Sequence, residues 1–592
     1  MNNMQKIAQN SRVAVVGAGI SGLTFAYFLG KLRPDVRITV FEKGDTVGGY
    51  IATRRANADT IKHLNFDSSK GNLARTLKME KGPRTLRGVS SGTLIIIDLM
   101  RKIGMLEQLR GVHVSSEGNK KYIMKKENAG DGHAQVGLMR GKLMEVPGPG
   151  CKMSTMFNFM ASRYGKIVLL AILSDIMFKK DGKDLSTMSV EEFFTRHFGK
   201  PMINELASAL IYGIYAADVA DLNASCVMSQ MTKLEAESES GSLLRTAFKR
   251  SFAKKEDKSD ASELDPDVKL YTELFGTDFD LSKLSVLLKR FPMLALNNGL
   301  SQLCYGLATH MPTNVEIISG ADVKKIGEHG SQAMNVELAN GMRFIFDHVR
   351  STIGTQLVGE MVGSETELGT LLSAFPCTSV TVCNVLIPQS SANVKSLKGF
   401  GFLVPKAMFD RENRLMGVIF DSDVEEHSSV MFPAGEVPPV LQIDGHEITN
   451  VKEVLRAVEE SVAAREGADI TEECTKLTFM MNVPRNSEQE LNKLETPTSE
   501  LRLIVGETIR NMLDAPSSFA GTGNDFAIES ATCWGALPLF DSQFPARREK
   551  TLALAAKQFG NRFSLGGTSF APGVGVPDGV VGSLHAAHSL AV

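Results

Sequence analysis

Val13-Ala14-Val15-Val16-Gly17-Ala18-Gly19-Ile20-Ser21-Gly22, answered downstream by Ile38-Thr39-Val40-Phe41-Glu42, decides the fold of this chain. A β-branched strand runs into G-x-G-x-x-G, a helix-length segment follows, and a second strand ends in an acid about 20 residues beyond the last glycine. Each glycine has its own physical task. Gly17 permits the sharp turn, Gly19 lets backbone N–H groups approach a pyrophosphate, and Gly22 lets the helix pack onto the strand. Ala18, Ile20 and Ser21 complete the loop, and the helix N-terminus turns its partial positive charge toward the phosphates. Glu42, with Lys43 beside it, stands where a carboxylate accepts hydrogen bonds from an adenosine ribose. Glycines alone would be a weak signal; with strand, helix and acid in register they predict a dinucleotide site.

Composition sets the frame. The chain has 592 residues, 43% hydrophobic and 22% charged, with a formal net charge of −2. That is ordinary for a globular chain with a large core, and it carries no basic field for nucleic acid. Seven cysteines, without a C-x-x-C or paired spacing, fit a reducing compartment rather than a disulfide framework or zinc ribbon. The eleven histidines form no H-E-x-x-H or similar cluster, so no metal site is expected. No run reaches the roughly 18 apolar residues of a spanning helix. The residues before the first strand include basic Lys6 and Arg12 and no acid, which leaves targeting open.

The second question is which dinucleotide. No second mononucleotide-binding half follows the first. Instead Gly48-Gly49-Tyr50 comes soon after Glu42, and a second glycine-rich strand–turn–helix closes the chain. This suits FAD held extended, with ADP on the first motif and the flavin end closed by the C-terminal segment. Between the two lie a methionine-rich helical stretch at 150–232 and a charged block at 235–267. Strands are expected near 315–318 and 344–346, a β-rich region from 378 to 481, and helices at 450–470 and 499–513. Met153, Met156, Phe157 and Met160 fall at helical spacing, which predicts an apolar helix face lying on a membrane or walling a substrate cavity.

Further segments make the reading specific: Lys81-Gly82-Pro83-Arg84-Thr85, Glu192-Phe193-Phe194-Thr195-Arg196-His197-Phe198-Gly199, Gly213-Ile214-Tyr215-Ala216-Ala217-Asp218, Gly399-Phe400-Gly401-Phe402-Leu403-Val404-Pro405 and Gly566-Gly567-Thr568-Ser569-Phe570. With the glycine motif, and in this order, they resemble the protoporphyrinogen oxidases of eukaryotic, fungal type, within the FAD-dependent amine-oxidase-like superfamily. The resemblance implies an α/β fold: a Rossmann-like, p-hydroxybenzoate-hydroxylase-like FAD-binding domain, an α+β substrate domain and a helical membrane-binding region, interleaved. The implied boundaries are 1–110, 269–358 and 546–592 for the FAD domain, 111–235 for the helical region, 236–268 for a charged surface insertion, and 359–545 for the substrate domain. The implied reaction is oxidation of protoporphyrinogen IX to protoporphyrin IX in three two-electron steps, with O2 reoxidising the flavin to give H2O2, in haem biosynthesis. A peripheral seat on the mitochondrial inner membrane is implied, with a homodimer and ferrochelatase as partners to test.

Residue roles follow from the same resemblance. Gly82, Pro83, Arg84 and Thr85, with Gly49 and Tyr50, line the flavin; Val323 meets the adenine end; Thr568, Val574, Gly575 and Val576 close the flavin end. On the substrate side Phe400 packs on a pyrrole ring, Gly213 brings backbone close to the macrocycle, and Val380 and Leu357 flank it. Lys121 stands where relatives place an arginine for a propionate; lysine keeps the charge and loses the bidentate fork. The chemistry agrees, since a large apolar ring with two carboxylates wants an apolar slot with cations at its mouth. No general base stands out, because the methylene hydrogens are activated and flavin N5 accepts hydride. Two departures are visible: Pro577 where relatives often have asparagine, which a first helical turn tolerates, and Trp534-Gly535-Ala536-Leu537-Pro538-Leu539-Phe540, which lacks a polar-aromatic ending.

Simpler readings stand beside these. Phe400 alone would be core, Lys121 part of a solvated basic face with Lys120, Lys125 and Lys126, and Gly213 a relief for a tight junction. As functions, another flavin-dependent amine oxidase or polyene desaturase and a non-catalytic Rab-escort-like relative compete. An intact Glu42 and C-terminal glycine segment weigh against the last.

Overall fold

The computed structural model describes residues 6–56, 77–126, 141–148, 151–179, 182–256, 264–388, 398–408, 414–432, 442–443, 446–447, 474–485, 488–513, 519, 521 and 525–592. The helical pattern expected at 450–470 lies outside them.

The sequence motif opens a five-stranded parallel sheet in the order Val315–Ile318, Arg37–Phe41, Arg12–Val16, His348–Ser351, Phe563–Leu565. Val13, Ala14 and Val15 are fully buried, as a parallel strand covered on both faces requires. The first helix, Ile20–Leu32, packs beside the last, Val576–Ala591. Ser583 Oγ donates to the Ser21 carbonyl at 2.8 Å, and the Ile7 N–H donates to the Leu590 carbonyl at 3.1 Å. The two ends of the chain therefore build one domain, as the FAD reading requires. A three-stranded antiparallel meander over 323–346 caps it.

A seven-stranded sheet forms the second body, in the order Ala527–Pro538, Cys377–Pro388, Cys474–Val483, Leu415–Ile419, Gly401–Leu403, Lys121–Lys126, Gly141–Val146. One face buries Val385, Phe402, Phe479 and Met481 against Leu501, Val505 and Ile509 of the helix Thr498–Met512. The opposite face carries Val380, Val382, Met416 and Met480 against Tyr212 and Ala216 of the helical region.

In that region Ser189 and Glu192 make a reciprocal capping box at the head of Val190–Phe198, which fixes its start. The helices Met153–Ala161 and Arg163–Met177 are bent by 79° from one another. Phe159, Tyr164 and Ile167 point inward, whereas Met153, Phe157, Leu170 and Met177 are 84%, 73%, 65% and 71% exposed. The methionine-rich stripe is thus an open apolar surface and not a cavity wall. Among the described residues no single helix is long and apolar enough to cross a membrane.

The charged block departs from its expected loop character. Leu243–Glu256 is a helix, and Pro266–Phe275 another with Val268 and Tyr271 buried. Asp175 is the reason for the first: it accepts from Leu243 N, Leu244 N and Ser242 Oγ at 3.2, 2.8 and 2.9 Å, capping the helix from a remote part of the chain. Burial pushes its carboxyl up, but the hydrogen bonds from His197, Leu244 and Ser242 more than offset that and hold it below the usual range. Several expected boundaries also fall inside elements: 235/236 inside Ser229–Glu237, 268/269 inside Pro266–Phe275, 358/359 inside Thr355–Met361 and 545/546 inside Phe544–Phe559. Interleaved domains share elements at their seams, and composition does not change there.

Candidate active site

The glycine loop turns as the motif demands. Gly17 adopts φ +100°, and a Cβ on Gly22 would lie 1.9 Å from the Gly17 carbonyl oxygen, so helix and strand meet at glycine distance. Gly19 is different. A Cβ there would find nothing closer than the Gly48 carbonyl oxygen at 3.9 Å and Gly49 Cα at 4.0 Å, so it would project into a cradle walled by backbone. Gly48 (φ +123°) and Gly49 (φ +61°) form the opposite wall, and the Gly48 N–H donates to the Ala18 carbonyl at 2.8 Å. Glu42 ties this loop together, accepting from Ala18 N and Gly44 N at 2.9 Å each. An ionised carboxylate offers about four acceptor sites, so capacity remains for ribose hydroxyls. Lys43 is exposed, 3.6 Å from Asp322. Gly320 N and Ala321 N donate to the carbonyls of Gly44 and Glu42, which ties the segment leading to buried Val323 to the Glu42 loop.

The last helix supplies a second N-terminus at the same place. It begins at Val576 behind Gly575, and a Cβ on Gly579 would lie 3.0 Å from Ser21 Oγ. Two helix dipoles thus present their positive ends side by side at the C-terminal edge of the parallel sheet, where α/β sheets bind ligands. Asp578 accepts from Gly575 N at 2.9 Å, and burial pushes its carboxyl up. Thr568 and Val574 lie in the loop between the strand Phe563–Leu565 and this helix. Gly567 (φ +79°) there brings backbone against the Thr352 carbonyl, where a Cβ would find it at 2.9 Å. The third wall is Tyr50 and Gly82: a Cβ on Gly82 would lie 2.0 Å from the Tyr50 carbonyl oxygen, and the Tyr50 hydroxyl donates to the Trp534 carbonyl at 2.6 Å. A backbone cradle, paired helix N-termini and a carboxylate with spare acceptor sites fit FAD.

Pro83 leads Arg84 and Thr85 out of this wall toward the seven-stranded sheet, where both line one pocket with Phe400. Arg84 Nη1 donates to Asp421 Oδ1 at 2.5 Å and to Thr478 Oγ1 at 2.7 Å. Its guanidinium therefore engages the seven-stranded sheet, while Gly82 packs against the Tyr50 backbone. Burial pushes the Asp421 carboxyl up, but Arg84 and Lys476 more than reverse this and hold it below the usual range.

Phe400 N–H donates to the Lys120 carbonyl at 2.7 Å, and its ring packs with Val112, Met293, Val424 and Ile419. Lys121 pairs in parallel register with Gly401, the residue after Phe400, and is exposed. Gly213 lets the helix Ser208–Tyr215 touch the sheet, since a Cβ would meet Leu403 Cδ2 at 2.9 Å. Val380, 5% exposed, packs with Tyr212, Met416 and Met480 in a buried apolar cluster between that helix and the sheet. Leu357, 42% exposed on the helix Thr355–Met361, stands apart from that cluster on the cofactor domain. Sequence reasoning missed Asp421 and Lys476, which line the pocket, and Thr478, which holds Arg84. The alternation Lys476, Thr478, Met480, Asn482 along one strand face was the available signal. One trio of ligand-type atoms does converge among the described residues, at Asp423, Glu426 and His427, but Lys398 already lies 3.3 Å from Asp423 and 3.7 Å from Glu426.

Residues 15–94 match the family model of the NAD(P)-binding Rossmann-like domain. A protoporphyrinogen oxidase of Saccharomyces cerevisiae is 28% identical over 596 residues, covering 98% of this chain and 97% of the relative. One from Schizosaccharomyces pombe is 27% identical over 421 residues, 69% of this chain and 74% of its own length. Among solved structures, a bacterial protein from Exiguobacterium, provisionally described as a protoporphyrinogen oxidase, superposes with a TM-score of 0.61 at 16% identity over 98% of both chains. Fold and site define the class: the chain is an FAD-dependent oxidoreductase with a Rossmann-like domain and amine-oxidase-like architecture. The relative that spans 98% of the chain and two that span 70% and 69% of it carry one name, that of the family its motifs resemble.

Proposed function

We propose that this protein is a protoporphyrinogen oxidase, carrying out the six-electron oxidation of protoporphyrinogen IX to protoporphyrin IX with O2 as final acceptor and H2O2 as product. The observation that carries it is the contiguity of the two sites: Arg84 and Thr85 follow Gly82 at the cofactor wall and share a pocket with Phe400 on the substrate sheet. Bound FAD supplies a two-electron acceptor held by the glycine cradle. The chain's own work is binding and orientation. Phe400, Val112, Met293 and Ile419 give the pocket its apolar side; Gly213 lets the helix Ser208–Tyr215 close on the sheet; Lys121 offers a cation beside Phe400.

The site calls for no resident base, because the ring's methylene hydrogens are already activated toward hydride loss. An amine oxidase or desaturase reading has no matching feature in this pocket, and a Rab-escort-like scaffold has no use for the intact cradle. A peripheral seat on the mitochondrial inner membrane is supported by the open apolar surface of Met153–Ala161 and Arg163–Met177. Homodimer formation and contact with ferrochelatase belong to the same reading.

The test is porphyrin fluorescence and peroxide release from purified protein given protoporphyrinogen IX under air, with an anaerobic control. Yellow protein that forms porphyrin only with oxygen is expected. Colourless protein would favour the scaffold, and yellow protein turning over an amine or polyene instead would favour the other oxidases. Phe400→Ala should slow turnover with flavin content unchanged; equal loss of both would make Phe400 structural.

A further inference from the structure

The substrate-facing side of the seven-stranded sheet changes character toward the cofactor domain. Along Cys474–Val483 that face runs Asn482, Met480, Thr478, Lys476, so the packed apolar cluster around Met480 gives way to a charged pocket. Arg84, Lys78, Arg110 and Lys476 line it, opposed by Asp421 and Glu425, with Phe400 on one side. Glu80 also borders it, but its carboxylate turns to Thr53 Oγ1 at 2.8 Å and Leu300 N at 3.1 Å. Lys476, 3% exposed, is 3.3 Å from Glu425, which is itself 3.5 Å from Lys78.

Arg84 is the exception. Its side chain is 9% exposed, and Nη1 is satisfied by Asp421 and Thr478, yet the buried Nη2 has no hydrogen-bond partner among the described residues. A buried guanidinium nitrogen without an acceptor is costly unless a ligand provides one. The excess of cations over acids selects an anion, and the planar fork of arginine matches a carboxylate better than a point charge does.

We propose that Arg84 is a specificity-determining residue whose Nη2 binds a propionate carboxylate of the porphyrinogen, in a subsite beside Phe400 and separate from Lys121. The inference rests on the reading of the preceding subsection and adds to it the means by which carboxylated tetrapyrroles are chosen. Asp421 and Thr478 are positioning residues that hold the guanidinium in place.

The experiment compares protoporphyrinogen IX with its dimethyl ester in the holoenzyme. Wild type should favour the diacid. Arg84→Met should lower kcat/KM for the diacid about 10- to 100-fold, the worth of one charge-assisted hydrogen bond, mainly through KM. The loss on the ester should be several-fold smaller than on the diacid, with flavin retained, and Arg84→Lys should recover part of the preference. Because Arg84→Met strands Asp421, the pair Arg84→Met with Asp421→Asn provides a folded control, checked by its thermal midpoint. Equal losses on diacid and ester, or release of flavin, would overturn the proposal and assign Arg84 to the cofactor. Wild type that favours neither substrate over the other would also overturn it. Wild type that oxidises neither would bring down the function reading itself.

Discussion

The cofactor cradle and the helical region at 151–256 are held together by opposite means. The cradle is backbone against backbone: Gly22 on Gly17, Gly82 on Tyr50, and Gly48 across from Gly19, with Glu42 anchoring the first loop and Asp578 the last. The helical region is held by buried side-chain charge. His197 is fully buried, with Nδ1 2.6 Å from Asp175 and Nε2 3.1 Å from Glu235, while Arg196 is 3.0 Å from Glu235. Both ring nitrogens face carboxylate oxygens. Phe178 and Phe193 flank the ring at 4.3 and 4.9 Å. The glycine contacts at Gly22 and Gly82 tolerate no added atom; charge networks tolerate no missing partner.

The sharpest way to break this contrast is a pair of glycine variants. Gly22→Val puts atoms into the Gly17 carbonyl, which cannot retreat, and is expected to cost more than about 3 kcal/mol, leaving little folded protein by circular dichroism. Gly19→Val is expected to fold within about 1 kcal/mol of wild type, yet to come off the column without flavin absorbance. Wild-type flavin content in Gly19→Val would show that the open space at that residue is not the cofactor's path.

In the helical region, His197→Leu leaves Asp175 and Glu235 without their shared partner. A loss of about 3–5 kcal/mol is expected in denaturant unfolding, with flavin still bound to the folded fraction. A change below about 1 kcal/mol would mean the network is incidental.

A third effect belongs to the cofactor sheet and depends on pH. His348 donates through Nδ1 to the Asn561 carbonyl at 2.7 Å and accepts from Ser564 Oγ at 2.8 Å, and burial pushes it from 6.5 down to about 4. Between those values the unfolded ring takes a proton that the folded one refuses, so the unfolded state binds more protons and stability falls as pH falls. The contribution is complete above 6.5 and gone below about 4; it amounts to roughly 3 kcal/mol. His348→Gln should flatten that part of the stability–pH curve, and an unchanged slope would contradict the assignment.

The smallest effect on stability is expected from Leu170→Ser on the open apolar face, within about 0.5 kcal/mol. The same variant should reduce co-sedimentation with phospholipid vesicles; undiminished binding would remove this face from the membrane reading.

Which features could be read in advance follows from the same contrast. The β-strand, the glycines and Glu42 were legible because each task belongs to a residue type at a fixed offset along one short segment. The capping box at Ser189 and Glu192 was legible in principle for the same reason. The helix Leu243–Glu256 was not, because its cap is Asp175, far away in the chain and invisible to local periodicity. Arg84 was placed by its motif neighbours; that its guanidinium crosses to Asp421 emerged only when the strands were assembled.

By itself the amino-acid order determined a dinucleotide-binding α/β domain closed by its own C-terminus, since steric permission for a tight turn is written in single glycines and in strand and helix periods. Tertiary structure alone decided which side chains share the pocket, that the methionine-rich helix faces outward, and which buried arginine nitrogen awaits an acceptor. Those depend on contacts between residues hundreds of positions apart, and no local pattern encodes a distance of that kind.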